Sequence, residues 1–99
     1  MNSNGGRRPS PVGPVLEASE TGRAVAAAIL TSNAEANVDD RGAYLRVSVP
    51  GRCFVRRSAI ETQLGRRFTL PRDLELVMPS FQGRLRIEDD SVEWRFEDA

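Results

Sequence analysis

The sequence predicts an α+β domain: two β-α-β-β-like units, with antiparallel sheets and two or three short helices. Three observations carry this expectation. Apolar residues alternate along Tyr44–Val49 and again along 84–88 and 92–97, the period of half-buried strands. Between these runs, an alanine-rich stretch near residues 22–33 and the segment after Arg57 hold helix-forming and helix-ending residues. The elements then follow as strand, helix, weak strand, strand, and again strand, helix, strand, strand, strand. No repeat of residues accompanies this duplication, which rests on element order alone.

Residues 1–11 are rich in Gly, Pro, Ser and Asn and bury too little apolar surface to offset chain entropy, so they read as a flexible tail before a single domain over 12–99. Val12 to Ala18 supplies a short strand, with Pro14 expected to confine it to a sheet edge or to the strand's first residues. A helix over 22–33 follows, capped by Ser19 or Thr21, with Val25, Ala28 and Ile29 on one face. That small-residue face suits close packing on a sheet and equally another protein's helix. Residues 37–41 carry at most a weak edge strand. In Tyr44–Val49 the alternation turns Leu45, Val47 and Val49 inward, and Pro50-Gly51 turns the chain back into a strand over 53–57 with Cys53 and Val55 inward.

Ser58 and Glu61 have the spacing of a capping box, which places a helix start at Ser58. Ile60 and Leu64 share a face of this helix of about two turns, and Gly65 closes it. Beyond Phe68, Leu70 and the Pro71-Arg72-Asp73 turn, the alternation of Leu74, Leu76 and Met78 predicts a half-buried strand. Pro79 ends it, because it cannot donate to a ladder. Pro79 to Gly83 then reads as a crossover carrying Phe81, a ring that either plugs the core or meets a partner. In the last hairpin Leu85, Ile87, Val92, Trp94 and Phe96 face inward. An even loop pairs Ile87 with Val92 and Leu85 with Trp94, and sets Arg86 opposite Glu93.

Composition narrows the function. The 99 residues make one domain of ordinary size. Fourteen basic residues, all arginine, balance 14 acidic ones, so no net field favours nucleic acid. There is no histidine, the commonest general base and a frequent metal ligand. Cys53 is the only cysteine and reads as a small buried hydrophobe. No apolar run is long enough to span a bilayer and no signal-peptide pattern opens the chain, so a soluble, cytoplasmic protein is expected.

The acidic groups Asp39-Asp40 and Glu88-Asp89-Asp90 fall in turns and have turn-forming character, without the alternate-position ligands of a calcium loop. Arg52, Arg56, Arg57, Arg66, Arg67 and Arg72 gather around the second helix, either as a solvated face or as a docking surface for an acidic partner. An acylphosphatase-like enzyme needs a Gly-rich, arginine-presenting loop after its first strand, where this chain has Glu17-Ala-Ser-Glu20. An RNA-recognition module needs exposed aromatics on two central strands, for which only Tyr44 and Phe54 are candidates.

Val12-Gly-Pro-Val, Asp40-Arg-Gly-Ala-Tyr-Leu-Arg-Val, the stretch from Arg57 to Phe68, and Pro79-Ser-Phe-Gln-Gly, in this order and spacing, resemble the effector proteins of soluble bacterial diiron monooxygenases. This is the MmoB/DmpM family, and the likeness is greatest to its toluene and alkene (isoprene-type) monooxygenase branch. The resemblance implies a cofactor-free, non-catalytic regulatory component. Such a component binds the diiron hydroxylase, remodels its active site and couples electron delivery to oxygen activation. Its surface overlaps the one a Rieske ferredoxin uses. It implies no metal site and neither nucleic-acid nor membrane partners, and the free protein is expected to be a monomer. It also places Met78, Pro79, Ser80, Phe81, Gln82 and Gly83 at the hydroxylase interface, which favours partner contact for Phe81. The other reading is a standalone small-molecule-sensing α+β domain.

Overall fold

The computed structural model describes residues 9–97. Along the chain lie β1 (Pro11–Glu17), α1 (Glu20–Ser32), β2 (Asn37–Asp40), β3 (Tyr44–Pro50), β4 (Arg52–Arg56), α2 (Arg57–Leu64), α3 (Arg72–Val77), β5 (Ser80–Gln82), β6 (Arg84–Ile87) and β7 (Ser91–Arg95). The strands form two antiparallel sheets, ordered β2-β3-β1-β5 and β4-β7-β6. In β1-α1-β2-β3 the last strand inserts between the first two, and β4-α2-β6-β7 repeats that order. The two units expected from element order therefore share a topology. Strand β5 is the exception, since it follows α3 in the second unit but completes the first sheet.

Each strand's inward set meets in one core. Val12 and Leu16 of β1, Leu45, Val47 and Val49 of β3, Cys53 and Val55 of β4, and Val92 and Trp94 of β7 are all buried, with Val25, Ile29, Ile60, Phe68 and Leu74 closing over them. Helix α1 starts at Ser19, whose hydroxyl accepts the Gly22 N–H at 3.1 Å, so Ser19 and not Thr21 is the cap. Its buried face includes Ala24, Ala26 and Ala28, and α1 packs against α2. The small side chains serve close packing within the molecule. At its far end, the Asn33 side chain donates to the Phe54 carbonyl (2.8 Å) and accepts the Phe54 N–H (3.1 Å), tying the helix to β4.

Several expectations are corrected. The segment holding Leu74, Leu76 and Met78 is the helix α3, not a strand. Leu74, Val77 and Met78, spaced as one helical face, are buried, while Leu76 is 67% exposed. Helix α3 starts after Pro71 without a side-chain cap; the Asp73 carboxylate accepts the Thr69 N–H at 2.8 Å, tying the first turn to the preceding loop, and Asp73 and Glu75 complement the positive end of that turn. Helix α2 begins at Arg57, with the extended Arg56 as its cap and no side-chain capping bond. The capping box does not form because tertiary partners replace it. Asp90 supplies the carbonyl for the Arg57 N–H (2.8 Å), and the Glu61 carboxylate instead accepts the Phe68 N–H (2.9 Å). The expected closure holds: Gly65, in the left-handed conformation, donates to the Glu61 carbonyl.

Strand β4 does not return beside β3. The Pro50-Gly51 corner carries the chain into the second sheet, where β4 pairs with β7. Pro14 lies in an interior strand, and it is accommodated because the β1–β3 pairing is interrupted at Gly13 and Pro14, where the three residues of β5 pair on the other side. The final hairpin has the expected register, Leu85 with Trp94, Arg86 with Glu93 and Ile87 with Val92. Phe96, beyond the end of β7, is 39% exposed and leaves the inward set. Of the tail expected over 1–11, residues 1–8 lie outside the described residues. Within the described part, Pro11 already pairs with Pro50, and the Ser10 carbonyl accepts the Gly51 N–H.

Candidate functional site

Helix α3 ends at Val77, and Met78 drops into the core at 9% exposure. Pro79 lifts the chain back to the surface. Ser80, Phe81 and Gln82, all exposed, then form β5, pairing with Val15, Pro14 and Gly13 of β1. The segment expected to be a bare crossover is thus a short margin strand. Phe81 lies on the same face as its buried neighbour Pro14, yet the residue is 41% exposed, since among the described residues no strand lies outside β5. Gly83 hands the chain to the second sheet with φ of 101°, and a Cβ there would sit 2.8 Å from the Val12 side chain. Of the six residues singled out, Met78 is an internal anchor and Gly83 is a pinned corner. Pro79, Ser80, Phe81 and Gln82 present the uncharged surface between them.

The six arginines grouped in sequence are dispersed. Arg52 and Arg56 lie on the outer face of the second sheet over the Phe54 ring, 4.8 and 5.5 Å from its centroid. Arg57 donates to the Asp89 carbonyl at the start of α2, and Arg66 reaches Glu20 at 3.6 Å. Arg67 lines a shallow groove with Phe68, Thr69 and Leu70, and Arg72 is exposed on α3.

An arginine-rich face does form, and linear sequence did not reveal it. Register sets Arg52, Arg95 and Arg84 in one row across β4, β7 and β6. The hydrogen bonds of Arg52 and Arg95 hold the Glu93 carboxyl below its usual pKa. Arg84 pairs with Glu97 at 2.7 Å and Arg86 with Glu88 at 2.8 Å, so Arg86 and Glu93 are register neighbours without being ion-pair partners. The signal for this face is the register itself, which needs the β4–β7 pairing that local spacing does not show.

Of the two acidic groups expected in turns, Glu88-Asp89-Asp90 connects β6 to β7, whereas Asp39-Asp40 ends the strand β2. Asp39 binds Arg41, and the Asp40 carboxyl is held low by the Gly42 N–H and by Arg23. Among the described residues no group of acidic or cysteine side chains is placed to hold a metal ion, and no helix is long and apolar enough to cross a membrane. Cys53 is fully buried, and burial pushes its thiol up to about 12, so it is a core residue without nucleophilic character.

The model of the MmoB/DmpM family matches residues 10–95. The chain belongs to the MmoB/DmpM family. It is 37% identical over 87 residues to the effector subunit of the alkene monooxygenase system of Xanthobacter autotrophicus (strain ATCC BAA-1158 / Py2), covering 86% of this chain and 85% of that protein. Chains from two structures of the phenol hydroxylase–regulatory protein complex share the fold. One superimposes with a TM-score of 0.79 at 22% identity, over 89% of this chain and 100% of that one. The other has a TM-score of 0.75 at 23% identity, over 88% and 100%. Proteins of the MmoB/DmpM family are non-catalytic regulatory subunits of multicomponent monooxygenases, and this chain is one of them.

Proposed function

We propose that this MmoB/DmpM protein is the cofactor-free effector of a bacterial diiron hydrocarbon monooxygenase, acting on its hydroxylase component in the cytoplasm. Residues 12–99 act as one effector domain. Docking uses the surface around β5, with Pro79, Ser80, Phe81, Gln82 and Gly83 against the hydroxylase and Met78 bracing them from the core. The observation that carries the reading is the similarity, over most of both chains, to an alkene monooxygenase effector. The exposed Phe81 ring on an uncharged margin strand supports the choice of surface.

A protein without reactive groups changes a partner's chemistry only through different affinities for the partner's states, since equal affinity for all states shifts nothing. The effector therefore favours the hydroxylase conformation in which active-site geometry, regioselectivity and electron delivery are matched. It shares its docking area with the Rieske ferredoxin, so its occupancy also times the arrival of electrons. When free it is a monomer. The test is turnover of the cognate hydroxylase, reductase and ferredoxin with this protein titrated in, following product and NADH together. Stimulation saturating near one effector per active site, with less NADH consumed per product, is expected. Unchanged rate, coupling and product distribution would reject the assignment.

A further inference from the structure

Four strands lie at sheet margins: β2 and β5 in the first sheet, β4 and β6 in the second. A margin strand offers unpaired N–H and C=O groups to any passing chain, and proteins guard such margins with charge or cover. Three of the four are guarded. Asp39 and Asp40 lie on β2, and Arg84 and Arg86 lie on β6. On β4, Arg52 and Arg56 flank Phe54, whose N–H and C=O are both taken by the Asn33 side chain. Strand β5 carries no charge, and among the described residues no side chain hydrogen-bonds to the backbone of Phe81.

The register shows which backbone groups are open. Phe81 stands opposite Pro14, which has no N–H, so this pair is of the non-hydrogen-bonded kind. The ladder bonds of β5 belong to Gln82 with Gly13 and to Ser80 with Val15. Both the N–H and the C=O of Phe81 consequently point away from β1, at the free margin, beside the half-exposed ring. A strand of three residues accepts only a short pairing, and Phe81 supplies its donor and acceptor.

We infer that the margin of β5 is a strand-addition site: an extended, uncharged segment of the hydroxylase bonds to the N–H and C=O of Phe81 while the ring enters an apolar recess of the same partner. This rests on the reading of the chain as a hydroxylase-binding effector, and it specifies main-chain pairing as the mode of docking. The segment is uncharged because Pro79, Ser80, Phe81, Gln82 and Gly83 offer no counter-charge, and a charge buried against them would be desolvated without a partner.

The test replaces the Phe81 amide with an ester, by incorporating phenyllactic acid at position 81 of the full chain. The ring stays and the N–H is removed, while the Ser80 carbonyl, which belongs to the ladder bond with Val15, becomes a weaker ester acceptor. Among the described residues nothing bonds to that N–H, so circular dichroism should match the natural protein and melting should fall only by the small loss of one weakened ladder bond. Affinity for the cognate hydroxylase should fall about tenfold, since a carbonyl of the partner is left unpaired. Exchange of the Phe81 amide hydrogen, fast in the free protein, should slow on adding hydroxylase by at least about the same factor. If the natural protein binds but the ester form binds within about twofold of it, strand addition is overturned and the docking assignment stands. If the natural protein does not bind hydroxylase, the docking assignment itself fails. Self-association of the protein alone, abolished by the ester, would give the margin to a second copy and overturn the inference.

Discussion

At the scale of single residues, Phe81 and Cys53 show how the same exposure argument separates surface work from core work. Phe81 keeps 41% of its surface in solvent on a strand whose ladder bonds do not depend on its ring. Phe81→Ala should therefore leave thermal stability within about 1 kcal/mol of the natural protein, because surface positions carry little of the fold. It should also weaken hydroxylase affinity by about tenfold, as loss of an aromatic anchor does. Unchanged kinetics in a folded variant would remove Phe81 from the contact. Cys53 is the opposite case, a thiol raised from 9.0 to about 12 by burial. Below the unfolded value both states hold the proton and its contribution is fully present. As pH rises from 9 towards 12 the unfolded chain releases the proton first, so stability falls. Urea unfolding between pH 8 and about 10.5 should show a steeper decline for the natural protein than for Cys53→Ala, by at most about 1.4 kcal/mol per pH unit. Identical slopes would sink that assignment.

At the scale of elements, α3 is the segment where local pattern misleads. Leu74, Leu76 and Met78 alternate as in a strand, while Leu74, Val77 and Met78 follow helical spacing, and the stretch from Leu74 to Met78 holds both patterns equally well. Burial decides between them, with Leu74 fully enclosed and Leu76 outside. Leu74→Ala should cost about 2–5 kcal/mol and Leu76→Ala no more than about 0.5 kcal/mol, measured by denaturant unfolding. Equal losses at the two positions would favour the strand. The α2 start follows the same logic: Ser58 and Glu61 have capping-box spacing, but Glu61 is drawn to the Phe68 N–H, seven residues on. A local motif yields where the folded chain brings up another donor.

At the scale of the whole molecule, both β-α-β-β units empty their apolar faces into one core, with Trp94 of the second unit fully buried in the same cluster as Leu16 and Val25 of the first. Far-UV circular dichroism and Trp94 fluorescence should consequently report one coincident unfolding transition. Two separated midpoints would show that the units are independent. The sequence by itself determined the α+β class, the inward sets of β3, β4 and β7, the Gly65 helix end, the register of the last hairpin and the membership of the MmoB/DmpM family, and it narrowed the cap of α1 to Ser19 or Thr21. These depend on periodicity, on capping chemistry and on short spacings, all of which act within a few residues. Only the tertiary structure decided that β4 leaves β3 for a second sheet, that Pro14 is tolerated in an interior strand, that an arginine row crosses β4, β7 and β6, and that β5 closes the first sheet with the Phe81 backbone facing outward. Each of these depends on which distant strand becomes a neighbour. That choice is made by burying one shared apolar core, a property of the folded whole and of no single window along the chain.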